Sequence, residues 1–399
     1  MSGARHSLPI LTLRFAVVGL ALVAGNPTFG RPPSRPDVPE DVAVVAIGDV
    51  HGDYRNFYGL LQSLQLVNAE GSWSGGTSHL VQTGDLFDRG PDSGRVVRLL
   101  MRLEREAREA GGRVTVLLGN HEAMNLTGDL RYVADGEFAA FADAESAEFR
   151  NQSRAKILSL LQQDHRPLLR SNYYAKLART IRADNFDTAF PHGYFAHRRA
   201  LSSQGDFGRW LLGHDVVHVE NGVLFVHAGI SPRFAALGPA QINRDLRSAL
   251  KNYLESVAQL EKLGVFEPSL GSPVLSRLIE SERRAGGPAP SLDPVFRRLE
   301  AVFAGPLFAD DGPLWYRGLA QNDESRFASA VKRILKLQRV HRIVVGHTQH
   351  PSLSIQGRFR DQVMLIDTGM NREFYGGRPS ALLIHKGGEA SIFEANVQR

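Results

Sequence analysis

Three observations predict an α/β fold built on strands that are buried on both faces. Short, nearly continuous Val/Ile/Leu runs of strand length recur at 42–47, 79–83, 114–118, 223–226, 342–345, 363–366 and 381–385. An amphipathic helical pattern lies between the second and third runs. Five of the runs also end abruptly in a glycine-bearing polar cluster, the position where open α/β sheets bind ligands.

The helical pattern spans 93–110. Val96, Val97, Leu99, Leu100, Leu103 and Ala107 fall on one side, Arg and Glu on the other, and Asp92 is placed to cap its start. Two longer stretches interrupt the α/β rhythm, at 126–209 and 234–307. Their spacing is helical and neither carries a chemical motif, so they read as insertions on one catalytic domain spanning 42–399.

The N-terminal segment has a different composition. Arg5, His6 and Arg14 precede an apolar run over 15–25, and a Pro/Gly-rich stretch follows. That order is the one expected of a signal peptide over 1–30, with a linker over 31–41. It implies export to a periplasm, with an uncleaved anchor in the inner membrane as the alternative. The apolar run is short for a membrane-spanning helix.

Composition narrows the chemistry. The chain has 399 residues, 43% of them hydrophobic and 22% charged, enough for a large core and unlike a disordered chain. It contains no cysteine, which excludes disulfides, thiolate zinc sites and a cysteine nucleophile. The formal net charge of +5 is spread along the chain, and Arg5 and Arg14 supply two of those charges. No basic and aromatic stripe marks a nucleic-acid groove.

The five clusters carry the functional signal. They are GDVHGD with Asp49 and His51, GDLFDRG with Asp85, Asp88 and Arg89, GNHE with Asn120, His121 and Glu122, HAGISP with His227, and GHTQH with His347. Carboxylate, imidazole and amide oxygen suit Mn, Fe or Zn. One carboxylate of the second cluster can bridge two cations roughly 3.5–4 Å apart, the spacing of two-metal hydrolases. Arg89 offers a fork of donors matched to phosphate oxygens. His121 is then available as general acid, with Asp88 as the group that holds its tautomer; a salt bridge of Asp88 with Arg89 is the alternative. Each cluster alone is a common turn or cap pattern, whereas five in series after apolar strands specify a phosphoesterase.

The set GDVHGD, GDLFDRG, GNHE, HAGIS and GHT resembles the phosphoprotein phosphatase branch of the calcineurin-like metallophosphoesterases. The segment 209–232 is similar to the Shewanella-like protein phosphatases within that branch. The resemblance covers about 42–125, 209–232 and 313–386 and leaves the insertions unmatched. It implies a four-layer α/β-β/α sandwich. It further implies that Asp49, His51 and Asp85 hold one metal and that Asp85, Asn120, His227 and His347 hold the second, with manganese expected and iron or zinc as alternatives. Arg89, Arg317 and Asn120 are the implied phosphate-binding residues, His121 the acid and Asp88 its partner. Arg317 can equally be a surface arginine beside Trp315.

In this chain the family's HGG is His227-Ala228-Gly229, and His350 lies one residue too far from His347 to be the second histidine of a GHxH ending. Tyr375 is a loose match to a C-terminal aromatic of the family. His79, His192, His197, His214 and His218 have no partner pattern and read as structural.

The function implied is a phosphomonoesterase acting on phosphotyrosine, phosphoserine or phosphothreonine of a protein or peptide, with the resemblance favouring phosphotyrosine. The alternatives are a diadenosine tetraphosphate or other nucleoside-polyphosphate hydrolase and, from another class, a non-catalytic metal- or phosphopeptide-binding module. No nucleic-acid partner is expected, and no membrane partner if the N-terminal segment is cleaved.

Overall fold

The computed structural model describes residues 41–395. The expected signal peptide, and all of the expected linker except Asp41, lie outside the described residues.

Among the described residues ten strands are present: β1 (Val42–Ile47), β2 (His79–Gln82), β3 (Arg113–Val116), β4 (Val217–Glu220), β5 (Val223–Val226), β6 (Arg342–Val345), β7 (Gln356–Arg358), β8 (Val363–Leu365), β9 (Ser380–His385) and β10 (Ala390–Glu394). They form two five-stranded sheets, in the orders β10-β9-β1-β2-β3 and β4-β5-β6-β8-β7. In each sheet three neighbouring strands run parallel, β1-β2-β3 in one and β5-β6-β8 in the other, and the remaining pairings are antiparallel.

All seven expected strands form, within two residues at each end. The three that apolar runs do not reveal, β4, β7 and β10, are all edge strands. Their sequences, VHVE, QGR and ASIFE, are short, polar or largely exposed. A strand with an open side has no need of an apolar run on both faces.

Side-chain alternation divides the core into layers. Val44, Ala46 and Val81 of the first sheet meet Val223, Phe225, Val344 and Met364 of the second in an apolar layer between the sheets. The alternate residues, Val45, Ile47 and Leu80, face outward to helices α1 (Tyr54–Ser63) and α2 (Ser93–Glu109) through Phe57, Leu61, Val96 and Leu100. On the second sheet, Leu224, Val226, Ile343 and Val345 join the same outer core as the helices Pro239–Lys262 and Glu324–Gln338. The order helix, sheet, sheet, helix is the four-layer sandwich. Asp92 stands at the N-cap of α2, but its side chain makes no capping bond and instead accepts from Arg95 Nη1 at 3.2 Å. The expected cap is therefore positional only.

The stretches 126–209 and 234–307 are largely helical. They are tied together where the Glu282 carboxylate accepts from the backbone N–H groups of Arg170 and Ser171 at 2.8 and 2.9 Å. Both also brace the end of helix α3 (Asn120–Thr127): Tyr253 donates to the Thr127 carbonyl at 2.8 Å, and the Arg198 guanidinium bonds the Asn125 carbonyl. Among the described residues no helix is long and apolar enough to cross a membrane.

Candidate active site

The six parallel strands all deliver polar residues to one end of the sandwich. β1 leads to Asp49 and His51, β2 to Asp85, Asp88 and Arg89, and β3 to Asn120 and His121. From the other sheet, β5 leads to His227, β6 to His347 and β8 to Asp367. These residues come together. His227 Nε2 lies 2.9 Å from Asn120 Oδ1, 3.3 Å from Asp85 Oδ1 and 3.1 Å from His347 Nδ1. On the other side of Asp85, His51 Nε2 lies 3.6 Å from Asp85 Oδ2 and 3.8 Å from Asp49 Oδ2. Asp85 therefore sits between two groups of ligand-type atoms, one oxygen toward each.

The backbone adopts uncommon geometry to achieve this. His51, Asp85, Asp88, Arg89 and His347 have φ of 48°, 57°, 71°, 69° and 63°. Left-handed backbone costs a non-glycine residue about 1 kcal/mol or more, and such strain concentrates at functional sites. Two glycines give room: a Cβ at Gly119 would overlap Asp85 Oδ1, and one at Gly346 would overlap Asp49 Oδ1. Glu122 supports the strained turn. Its buried carboxylate accepts from the N–H groups of Asp85, Leu86 and Gly119 at 2.8, 2.7 and 2.6 Å. Glu122→Ala leaves three buried donors unpaired, and we expect a loss of about 3 kcal/mol in stability. A urea denaturation with unchanged slope and a lowered midpoint reads that loss; an unshifted midpoint would contradict the role.

The donor set and its electrostatics fit a pair of divalent cations. His51 Nδ1 donates to the Phe87 carbonyl and His227 Nδ1 to the Thr83 carbonyl, each at 2.9 Å. Their Nε2 lone pairs are thereby turned inward, as in metal-ligating histidines oriented by backbone carbonyls. Asn120 turns its NH2 toward Met124 Sδ, 3.8 Å away, so its oxygen also faces in. Acceptor atoms converge here without enough protons between them, an arrangement that calls for a cation.

Charge points the same way. Burial, followed by the neighbouring Asp367 and Asp85 carboxylates, pushes Asp49 well above the usual carboxylate range, and burial also raises Asp367. Burial would raise Asp85 as well, but the surrounding His227, His121 and His51 outweigh it and hold Asp85 low. Burial and then His121 hold His51 well below its ordinary value; burial and then His227 push His347 down to about 2. Neutral imidazoles are ready to ligate, and a divalent cation would offset the mutual repulsion of the buried carboxylates and favour their ionised form.

The remaining predicted residues flank this centre. His121 Nδ1 is paired with Asp88 Oδ2, and Asp88 Oδ1 accepts from Asn125 Nδ2 at 2.9 Å. Asp88 thus pairs with His121. Burial would lower the His121 pKa, but Asp85 and then Asp88 raise it above the ordinary value. Arg89 reaches inward, with Nη1 2.6 Å from His51 Nε2 and Nη2 3.2 Å from His121 Nε2. Tyr132, Phe374 and Tyr375 surround its guanidinium, their ring centroids 5.6, 5.7 and 5.1 Å away. Tyr375, a loose match by sequence, therefore stands at the site. The exposed Arg317 donates from Nη1 to the His347 carbonyl at 2.9 Å and to Thr348 Oγ1 at 3.0 Å, which fastens the His347 loop. His350 bonds Ser352 instead of joining the centre.

Several residues at the site escaped motif reading. Asp367 follows β8 just as the other ligand-type residues follow their strands, and that strand's polar end was the available signal. Asn371, whose Nδ2 donates to the His51 carbonyl at 2.8 Å, and Asn125 gave no such signal. Nor did Tyr132, whose carbonyl accepts from Arg89 N at 2.9 Å.

The chain is similar to several known proteins. An uncharacterized protein of Schizosaccharomyces pombe is 30% identical over 357 residues, covering 88% of this chain and 80% of that protein. Shewanella-like protein phosphatase 2 of Arabidopsis thaliana is 26% identical over 359 residues, covering 88% and 78%. The crystal structure of the cold-active protein-tyrosine phosphatase of a psychrophile Shewanella sp. aligns with a TM-score of 0.54 at 23% identity, over 89% of this chain and 83% of that one. That last likeness is one of fold. The family profile described as calcineurin-like phosphoesterase matches residues 42–351, most of the chain from the first strand onward, and the chain belongs to that family.

Proposed function

We propose that this chain is a metal-dependent protein phosphatase that hydrolyses phosphomonoesters of protein side chains, phosphotyrosine foremost. The observation that carries this reading is the position of Asp85 between two inward-facing donor groups, with Arg89 and His121 beside it. In this reading Asp49, His51 and Asp85 hold one cation, and Asp85, Asn120, His227 and His347 the other. When bound, such a pair supplies Lewis acidity toward phosphoryl oxygens and makes water acidic enough to attack phosphorus at neutral pH. Manganese suits this set of oxygen and imidazole donors.

The chain's own groups complete the reaction. The Arg89 fork grips the phosphoryl oxygens and aligns the P–O bond to be broken, while Asn120, its NH2 turned to Met124 Sδ, serves the site through its oxygen rather than as a phosphate donor. Arg317 keeps the His347 loop in place and is the nearest further candidate for a phosphate contact. As that bond breaks, His121 Nε2–H gives its proton to the departing phenoxide or alkoxide, while Asp88 holds Nδ1–H and balances the charge. Preference for an aromatic ester is supported by Tyr132 and Phe374, which are 44% and 59% exposed beside Arg89 and can flank a phenyl ring. An adjoining groove of about 680 Å³, whose lining pairs Arg55, Arg89 and Arg372 with Asp53, Asp92 and Glu373, has room and charged groups of both signs for the flanking peptide.

Export by the N-terminal segment is proposed on sequence alone; fusion of residues 1–41 to a reporter and fractionation of cells tests it.

Parallel turnover assays with Mn²⁺ on a phosphotyrosine peptide, a phosphoserine peptide and diadenosine tetraphosphate test the substrate class. Fastest turnover is expected on the phosphotyrosine peptide. Turnover of the dinucleotide alone would overturn the protein-phosphatase reading.

A further inference from the structure

A second group of metal-type side chains lies at the opposite end of the strands. His79 opens β2, roughly 20 Å along the chain from Asp85 at the rise of an extended strand. Thr115 is on neighbouring β3, whereas His218 and Glu220 are on β4 of the other sheet. The two sheets meet here through polar side chains: His79 Nδ1 is 3.8 Å from Glu220 Oε2 and its ring centroid 5.4 Å from that of His218, while within β4 His218 Nε2 is 3.4 Å from the same Glu220 oxygen. One ligand atom from each residue falls within 4.8 Å of the others. In a tetrahedral site with bonds of about 2.0–2.1 Å, ligand atoms stand about 3.3 Å apart. Closing the triad on a cation therefore needs small side-chain rotations only.

The orientation of the His79 ring is already set. His79 Nε2 is 2.8 Å from Thr115 Oγ1, so the hydroxyl can take that N–H and leave the Nδ1 lone pair facing Glu220. An outer partner of this kind orients metal-ligating histidines. His218 Nε2 is buried and has no hydrogen-bond partner among the described residues, although it is aimed at the same point. The charge facing the triad is Arg113, whose Nη1 lies 3.4 Å from Glu220 Oε2 and whose side chain is 61% exposed. It neutralises Glu220 in the absence of a cation and is free to swing outward.

We propose that His79, His218 and Glu220 form a third divalent-cation site of the zinc class, separate from the phosphatase centre, that clasps β2 of one sheet to edge strand β4 of the other. Two imidazoles and one carboxylate are a zinc donor set, with water as the fourth ligand. Such a clasp crosses from β2 to β4 and therefore links strands that share no backbone ladder.

The test is zinc binding to the full chain by metal analysis after equilibration and gel filtration, comparing wild type with His218→Ala and Glu220→Gln. Wild type should retain one equivalent more than either variant, while activity with Mn²⁺ is unchanged in both. Thr115→Val should weaken the extra site by about 10-fold, a loss typical for a partner behind a ligand, and Arg113→Gln should tighten it by removing the competing charge. Cobalt substitution gives a second reading: the visible band of a tetrahedral site should be present in wild type and absent in His218→Ala. If wild type and both variants retain the same number of equivalents, the third site is refuted. The comparison does not depend on how many equivalents the phosphatase centre takes, so failure of that reading remains distinguishable.

Discussion

Asp85→Asn is expected to reduce kcat on a phosphotyrosine peptide by on the order of 10³-fold or more, at saturating Mn²⁺ and with the fold intact. The size of the loss follows from position. Asp85 Oδ1 lies 3.3 Å from His227 Nε2 and Asp85 Oδ2 lies 3.6 Å from His51 Nε2, so one side chain serves both donor groups. Asn retains an oxygen for the His121 N–H, which now donates to Asp85 Oδ1 at 3.0 Å, and the local turn should survive. What disappears is the negative charge, and with it the second oxygen able to bridge. Metal analysis should show weakened retention at both positions. A variant within threefold of wild type with full metal content would remove Asp85 from the centre of the mechanism. Far-UV circular dichroism guards against a misfolded variant being counted as support.

His121→Ala should produce a loss that depends on the leaving group. A general acid contributes roughly 10²–10⁴-fold when the departing oxygen needs a proton. On a phosphotyrosine or phosphoserine peptide the loss should fall in that range, whereas on 4-nitrophenyl phosphate, whose leaving group departs as a stable anion, it should be much smaller. A uniform loss across both substrates would point to a structural role.

Asp88→Asn supplies the matching pH test. Asp85 and then Asp88 raise the His121 pKa against burial. Activity needs His121 protonated, so the rate falls as pH rises through its pKa. Losing the Asp88 charge lowers that pKa, and the basic limb of the pH profile should move to lower pH. A basic limb that stays in place would show that Asp88 does not sustain the acid.

Much of the centre was legible in the sequence because its chemistry is local. A buried parallel strand must be apolar along its length, so a sudden Gly-Asp or Gly-Asn at its end stands out. β1, β2 and β3 announced their ligand-type residues in this way, and β5 and β6 did so with a histidine beside small residues, His227-Ala228-Gly229 and Gly346-His347. Asp367 follows the same rule after β8, and it was missed because a lone Asp-Thr-Gly is indistinguishable from an ordinary turn. Glu122 was visible as a cluster member, but its task of holding three backbone N–H groups depends on the Asp85 turn folding against it.

Other features were illegible for physical reasons. Edge strands β4, β7 and β10 have no second buried face to mark them. Tyr132 lies in a helical stretch without motif, and only packing brings it over Arg89. His79 and His218 read as structural histidines because they are far apart in the chain; the approach of His79 to His218 and Glu220 exists only once the two sheets are stacked.

Two cations held around Asp85 are expected to run phosphoester hydrolysis by this chain. Stripping the protein with chelator and titrating it with Mn²⁺, while recording the phosphotyrosine-peptide rate against metal bound, tests this directly. The rate should be negligible when stripped and should recover fully only as the second equivalent at the Asp85 centre fills. Undiminished turnover by the stripped protein, or full activity with a single equivalent bound, would contradict it.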